Sequence, residues 1–210
     1  MNQNIRRNDP CGCVFLSMIM KTVTYFLLII FFSSCGVQHQ FTGEGGIEED
    51  SSFVYALPYP AGNSHLLLQG YKSGFSHKGR LALDFKMKKG SPVAAAREGI
   101  VVRVEESFKK GGINKKYLRK ANQVVIRHID GSQAYYGHLQ YDGVLVNVGD
   151  TVRQGQLIAK SGSTGYSATP HLHFIVWGPQ PGGGRGQLPT RFMTKNGPRY
   201  LKPGRTYRAQ

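Results

Sequence analysis

Cysteine is scarce in this chain, and its placement makes it scarcer. Three occur in 210 residues, at positions 11, 13 and 35. Cys11 and Cys13 precede Met18 and Met20, from which an export signal would already be complete. With translation starting there, one cysteine remains and no disulfide can form within the chain. As a C-G-C pair they find no partner cysteines for a metal or redox site. Acidic residues are also few, 12 against 27 basic ones, for a net charge of +15. Long apolar runs are missing: the stretch from about Val23 to Phe32 is too short for a membrane span of about 20 residues. No H-E-x-x-H motif occurs. The tract G-P-Q-P-G-G-G-R-G-Q lacks the G-K-[ST] ending and following helix of a phosphate cradle, so it reads as a flexible loop. Nor is there a long amphipathic helix, only a short candidate around Lys115–Lys120.

The short apolar run has its own meaning. K-T-V-T-Y-F-L-L-I-I-F-F-S-S-C-G has a basic start, an apolar middle and small residues before Cys35, the form of a secretory signal. Its end, F-S-S-C, resembles a lipobox with Phe32 in place of the usual leucine, so Cys35 is expected to carry the lipid anchor. A non-cleaved signal anchor is the alternative. Residues 1–34 are read as the signal, residues 1–19 within it as an upstream mis-start, 35–52 as a tether and 53–210 as one domain. Beyond the signal the balance is 24 basic to 11 acidic residues. Such a surplus suits an anionic envelope polymer, and no nucleic-acid motif accompanies it. The densest basic patch, K-K-G-G-I-N-K-K-Y-L-R-K, reads as a solvated loop flanking the groove.

Short alternating runs recur at Leu66–Leu68, Leu81–Phe85, Ile100–Val104, Val124–His128, Ala134–Leu139, Gln156–Ala159 and Leu172–Trp177, separated by turns rich in Gly, Asn and Asp. This pattern predicts a mainly β, antiparallel domain. The final segment, L-P-T-R-F-M-T-K-N-G to Y-L-K-P-G-R-T-Y, reads as a closing pair of strands.

The chemistry concentrates in four places. In T-P-H-L-H-F, a strand puts His171 and His173 on one face, roughly 6–7 Å apart. Upstream, Asp84 alternates with Leu81, Leu83 and Phe85, so the apolar three face a core and the carboxylate faces away. His77 precedes it in S-H-K-G-R, and His138 closes Y-Y-G-H-L. Imidazoles and a carboxylate are the donors of a hydrolytic zinc site, which needs three protein ligands, an open position and groups that move protons.

The order H…D, then Y-x-H-L, then S-G-S-T-G…P-H-L-H-F resembles the lysostaphin/LytM-type zinc metallopeptidases, which cut peptide cross-links of bacterial peptidoglycan. G-S-P-V-A-A-A-R-E-G-I-V-V and V-N-V-G-D-T-V-R-Q-G-Q-L-I-A-K-S-G also look like that family's connecting strands, and the likeness runs from about residue 53 to near the end. The resemblance implies twisted antiparallel sheets around a narrow groove, built on a duplicated hybrid motif. It further implies zinc held by His77, Asp84 and His173, with His138 and His171 as the catalytic pair. One departure stands out: six residues separate His77 from Asp84, where the usual spacing is H-x-x-x-D. Peptidoglycan peptide is then the expected substrate, the cell envelope facing the periplasm the expected location, and the monomer the expected state.

Other histidines have plainer readings. His39 and His65 are ordinary surface or strand residues. His128, in R-H-I-D-G, is read the same way, although its place near the cleft would let it orient a ligand. Tyr135 and Tyr136 read as packing residues; the alternative for Tyr136, two before His138 and so on the same strand face, is contact with substrate. Two other classes compete: a non-catalytic wall-binding or hydrolase-activating relative, and a carrier domain suggested by V-G-D-T-V-R-Q-G-Q. The full complement of five site residues argues against the first. Asp84 and the export signal argue against the second.

Overall fold

The computed structural model describes residues 54–74 and 76–210. The signal, the tether, His39 and the lipidation candidate Cys35 lie outside the described residues. In chain order the strands are β1 (Val54–Tyr55), β2 (Ser64–Gln69), β3 (Ala82–Lys86), β4 (Pro92–Ala94), β5 (Gly99–Glu105), β6 (Gly111–Gly112), β7 (Asn122–Arg127) and β8 (Gln133–Val144). They continue as β9 (Thr151–Val152), β10 (Leu157–Ser161), β11 (Gly165–Tyr166), β12 (His171–Pro179), β13 (Arg185–Leu188), β14 (Arg191–Thr194), β15 (Gly197–Arg199) and β16 (Thr206–Arg208). No α-helix occurs among the described residues. The mainly antiparallel β reading is therefore correct.

One large sheet positions everything that follows. Its order is β16-β2-β3-β12-β8-β7-β5-β9, with β10 joining β8 to β4 and β13 extending beside β12. β12 lies centrally, antiparallel to β3 on one side and β8 on the other. Alternation along it sends Leu172, Phe174 and Val176 into the core. Phe174 packs edge-on against Tyr55, Tyr136 and Phe192, with ring centroids 5.2–6.3 Å apart. Such edge-to-face aromatic pairs fix the strand as well as burying area.

Alternation breaks on β8 and β5, as on some other strands. On β8, Gln123 of β7 pairs with Gly137 and Asn122 with Leu139, leaving His138 as an extra residue. The core residues there are Tyr136 and Leu139, three apart instead of two. His138 itself has φ of +60°. On β5, Val101 pairs with Ile126 and Arg103 with Val125, leaving Val102 as the extra residue. β-bulges of this kind re-aim side chains across a sheet.

Four expectations need correction. The Lys115–Lys120 helix is a single 3₁₀ turn, Lys115–Tyr117, capped by the Asn114 side chain and followed by Arg119 at φ +61°. The glycine-rich tract is a β-hairpin, since Gly178 pairs with Gly186 and Pro179 with Arg185. Gly182, Gly183 and Gly184 all have φ between 80° and 95°, so the glycines encode its turn, where side chains would be strained. The closing pair of strands is split: β14 pairs with β1 and β15, whereas β16 pairs with β2. Leu81 lies outside β3, its backbone N–H donating to the Gln187 side chain at 2.6 Å.

Candidate active site

Asp84 and His173 are direct cross-strand partners on β3 and β12. Alternation puts both on the face opposite Leu83, Phe85, Leu172 and Phe174. The His173 Nδ1 lies 2.8 Å from Asp84 Oδ1. His171, two residues back on the same face, brings Nε2 to 3.6 Å from that oxygen.

His77 arrives from the loop ahead of β3. The turn is tight: Arg80 N–H donates to the His77 carbonyl at 2.9 Å, with Gly79 at φ +67°. The longer spacing to Asp84 therefore forms a hydrogen-bonded turn, and His77 still reaches the carboxylate, Nε2 to Oδ2 at 3.2 Å. His77 is 2% exposed. Its Nδ1 lies 3.2 Å from the Gly70 carbonyl.

His138 joins from β8 through the bulge. Its ring centroid lies 4.6 Å from that of His171 and 5.7 Å from that of His173. Nδ1 donates to the Thr164 carbonyl at 2.7 Å, and His171 Nδ1 to the Thr169 carbonyl at the same distance. A carbonyl only accepts, so the proton sits on Nδ1 in both rings and leaves the Nε2 lone pair as the free acceptor. The loop between β10 and β12 thus sets the tautomer of both histidines.

The electrostatics follow from this crowding. Burial alone would raise the Asp84 pKa, but hydrogen bonds from His173 and His77 and the nearby imidazole charges hold it well below the carboxylate range. Burial would lower His77, yet the Asp84 hydrogen bond and charge raise it. For His138, burial and then repulsion from His171 and His173 push the pKa down to about 3.

Donor geometry fits a single divalent cation. The donor atoms of His77, Asp84 and His173 all lie within 4.8 Å of one another, and those of His138, His171 and His173 form a second, overlapping set. Ligands at about 2.0–2.2 Å in a tetrahedral zinc site are separated by about 3.3 Å. The Asp84–His77 distance of 3.2 Å is close to that spacing, while Asp84 and His173, at 2.8 Å, stand at hydrogen-bond length, and only the first set includes a carboxylate to offset cationic charge.

All five predicted residues thus converge, and three more join them: Gln69 and Gly137, which sequence reasoning passed over, and Tyr135, which it read as a packing residue. Gln69, on β2, donates from Nε2 to Asp84 Oδ2 at 2.7 Å and to Ser76 Oγ at 2.8 Å, orienting the carboxylate from behind. Its signal was faint, because a bulge on β2 brings Gln69 opposite Asp84. Tyr135 sets its ring edge-on to His173, centroids 6.0 Å apart. Gly137 makes room for it: a Cβ there would fall 2.4 Å from Tyr135 Cε1.

The packing reading of Tyr136 holds, and its alternative, contact with substrate, fails because of the same bulge. Tyr136 is fully buried in the core, where its hydroxyl accepts from Ala96 N–H at 2.8 Å. The extra residue at His138 shifts the period by one, so Tyr135 instead takes the histidine face. The second reading of His128 also fails. It is buried, its Nδ1 against the Glu98 carbonyl at 2.6 Å and its ring against Tyr55, and it bonds none of the site residues. His65, as expected, is a strand residue, bonded to the Lys86 carbonyl.

The model of Peptidase family M23 matches residues 76–184, a stretch that holds all five site residues and just over half of the chain. The chain belongs to Peptidase family M23. Among its relatives, lysostaphin of Staphylococcus simulans is 40% identical over 119 residues, covering 56% of this chain and 19% of the relative. Glycyl-glycine endopeptidase ALE-1 of Staphylococcus capitis is 37% identical over 105 residues, covering 50% and 26%. The chain spans about a quarter or less of the length of the curated relatives it matches. The solved catalytic domain of S. simulans lysostaphin shares 33% identity and aligns with 54% of this chain and 78% of its own at a TM-score of 0.41. Membership of the M23 family rests on the sequence match.

Proposed function

We propose that this M23 chain is a zinc-dependent endopeptidase that hydrolyses the peptide cross-links of bacterial peptidoglycan. The observation that carries this reading is one carboxylate, Asp84, facing three imidazole nitrogens at 2.8, 3.2 and 3.6 Å on the face of the sheet opposite the core. His77, Asp84 and His173 would hold the zinc. Bound there, zinc polarises the scissile carbonyl and makes water a usable nucleophile near neutral pH.

The remaining steps belong to the protein. His171 Nε2, an acceptor because Nδ1 is tied to the Thr169 carbonyl, takes the proton of the attacking water. That nitrogen lies 3.6 Å from Asp84 Oδ1, beside the position the zinc would take. The role proposed for His138, proton delivery to the leaving amine or stabilisation of the developing oxyanion, needs a proton on Nε2, because its own proton is held on Nδ1; the proton that His171 takes from the water, on a ring whose centroid lies 4.6 Å away, would supply it. Thr164 and Thr169 keep both rings in register for this exchange.

Location belongs to the same proposal. The F-S-S-C sequence supports lipidation of Cys35 and retention on an envelope membrane, facing the wall. Labelled fatty acid should be incorporated by the native chain and lost on Cys35→Ala. Activity is tested by incubating the zinc-loaded full chain, in mild detergent, with intact peptidoglycan and identifying released muropeptides by mass spectrometry. Release of cross-linked fragments cut at a peptide bond is expected. Intact sacculi after exhaustive incubation would favour the non-catalytic, wall-binding alternative.

A further inference from the structure

Beside the histidine cluster, the same open face carries a concavity of about 380 Å³ that the catalytic proposal leaves unused. Its lining includes Arg103, Gln123, Val125, Gln133, Tyr135 and Trp177. Strand register makes it continuous with the site. Arg103, Val125, Tyr135 and Ile175 form one row across β5, β7, β8 and β12. His173 stands two residues before Ile175 on the same face of β12.

Arg103 reaches this face through a bulge. Val101 is buried in the core and Val104 packs against it, three residues on, so regular alternation from Val101 would have turned Arg103 inward. The extra residue at Val102 turns it out onto the concavity. There the guanidinium is exposed and, among the described residues, makes no hydrogen bond or ion pair. The acid on the same strand, Glu105, is already taken by the backbone N–H and hydroxyl of Ser107, at 2.9 and 2.5 Å. The amides of Gln123 and Gln133 add donors and acceptors, and Trp177, 39% exposed, adds an apolar wall.

We propose that this concavity is a specificity subsite, in which Arg103 pairs with a carboxylate on the substrate peptide away from the bond that is cut. A planar guanidinium with no partner of its own is suited to bidentate carboxylate recognition. Three strand spacings separate Arg103 from β12, about 14 Å. An extended peptide covers that in roughly four residues. The inference rests on the reading of the chain as a peptidoglycan peptidase: it says which stem peptides are preferred, those whose side-chain or α-carboxylates are free rather than amidated.

Trp177 is the only tryptophan of the chain, so its emission reports on this concavity. The test titrates the metal-free full chain with a synthetic stem tetrapeptide in its free-acid form and in its amidated form, reading Trp177 fluorescence. Binding of the acid form about tenfold tighter is expected, and Arg103→Gln should erase the preference. Arg103→Lys, which keeps the charge but not the fork, should restore part of it. Equal affinity for the two forms, a preference that survives Arg103→Gln, or no response to either form would overturn the proposal. Hydrolysis of both peptides by the zinc-loaded chain is followed separately. Cleavage without discrimination would sink the subsite and leave the peptidase reading intact; discrimination without cleavage would do the reverse.

Discussion

β12 and β8 lie side by side and deliver histidines to the same site by opposite means. On β12, unbroken alternation sends His171 and His173 to one face and Leu172 and Phe174 to the other. On β8, an extra residue breaks alternation, and His138 reaches the site at φ +60°. A side chain in regular strand geometry takes its position from the whole sheet, whereas a bulged one depends on local contacts such as the Thr164 carbonyl. The contrast separates residues whose placement is robust from those whose placement is tuned.

The largest expected effect comes from the chemistry that the tuned residue serves. His138→Ala should lower hydrolysis by about 10²–10⁴-fold while leaving the fold in place. Muropeptide release with unchanged circular dichroism would confirm it; activity within threefold of native would remove His138 from the reaction. Below the regular strand, Phe174→Ala should cost about 3–5 kcal/mol of stability, because Phe174 lies at the centre of the aromatic cluster. Urea unfolding would measure this. Gly137→Ala, beside the bulge, should cost about 1–3 kcal/mol through collision with the Tyr135 ring. Adding Tyr135→Ala should recover most of it, and a strictly additive double mutant would show that the two do not press on each other.

How much of this could be read beforehand divides along the same line. The His171, His173 and Asp84 faces were legible because period-2 patterning decides them. His138 is legible through its motif and Tyr136 as a packing residue, but the strand face of Tyr135 is not: it stands beside His173, and Tyr136 does not reach the site, since a bulge leaves no mark on apolar periodicity. Gln69 and Arg103 were missed for the same reason, each lying next to an extra residue in its strand. The glycine-rich tract is legible as a loop but not as a hairpin, because Arg185–Leu188 carries little β-propensity of its own. Cysteine scarcity and basic charge narrowed the class of protein without locating anything.

A smaller effect concerns pH in the metal-free chain. The folded state binds fewer protons than the unfolded one at His138 below its ordinary pKa near 6.5, and at Asp84 below about 4. Stability from both is therefore present above those values and lost as pH falls through them, although the raised pKa of His77 opposes part of it. Unfolding free energy should decline from about pH 6.5 downward, and His138→Gln should flatten the upper part of that decline. An unchanged slope in the variant would contradict the assignment of a buried, neutral His138.

The central claim, that His77, Asp84 and His173 hold the zinc while His138 and His171 move protons, is tested most directly by metal content. Zinc per chain would be measured by mass spectrometry after dialysis of the native full chain, His173→Ala and His138→Ala. One zinc per native chain, near-complete loss in His173→Ala and retention in His138→Ala are expected. Zinc retained by His173→Ala, or lost from His138→Ala alone, would contradict the account.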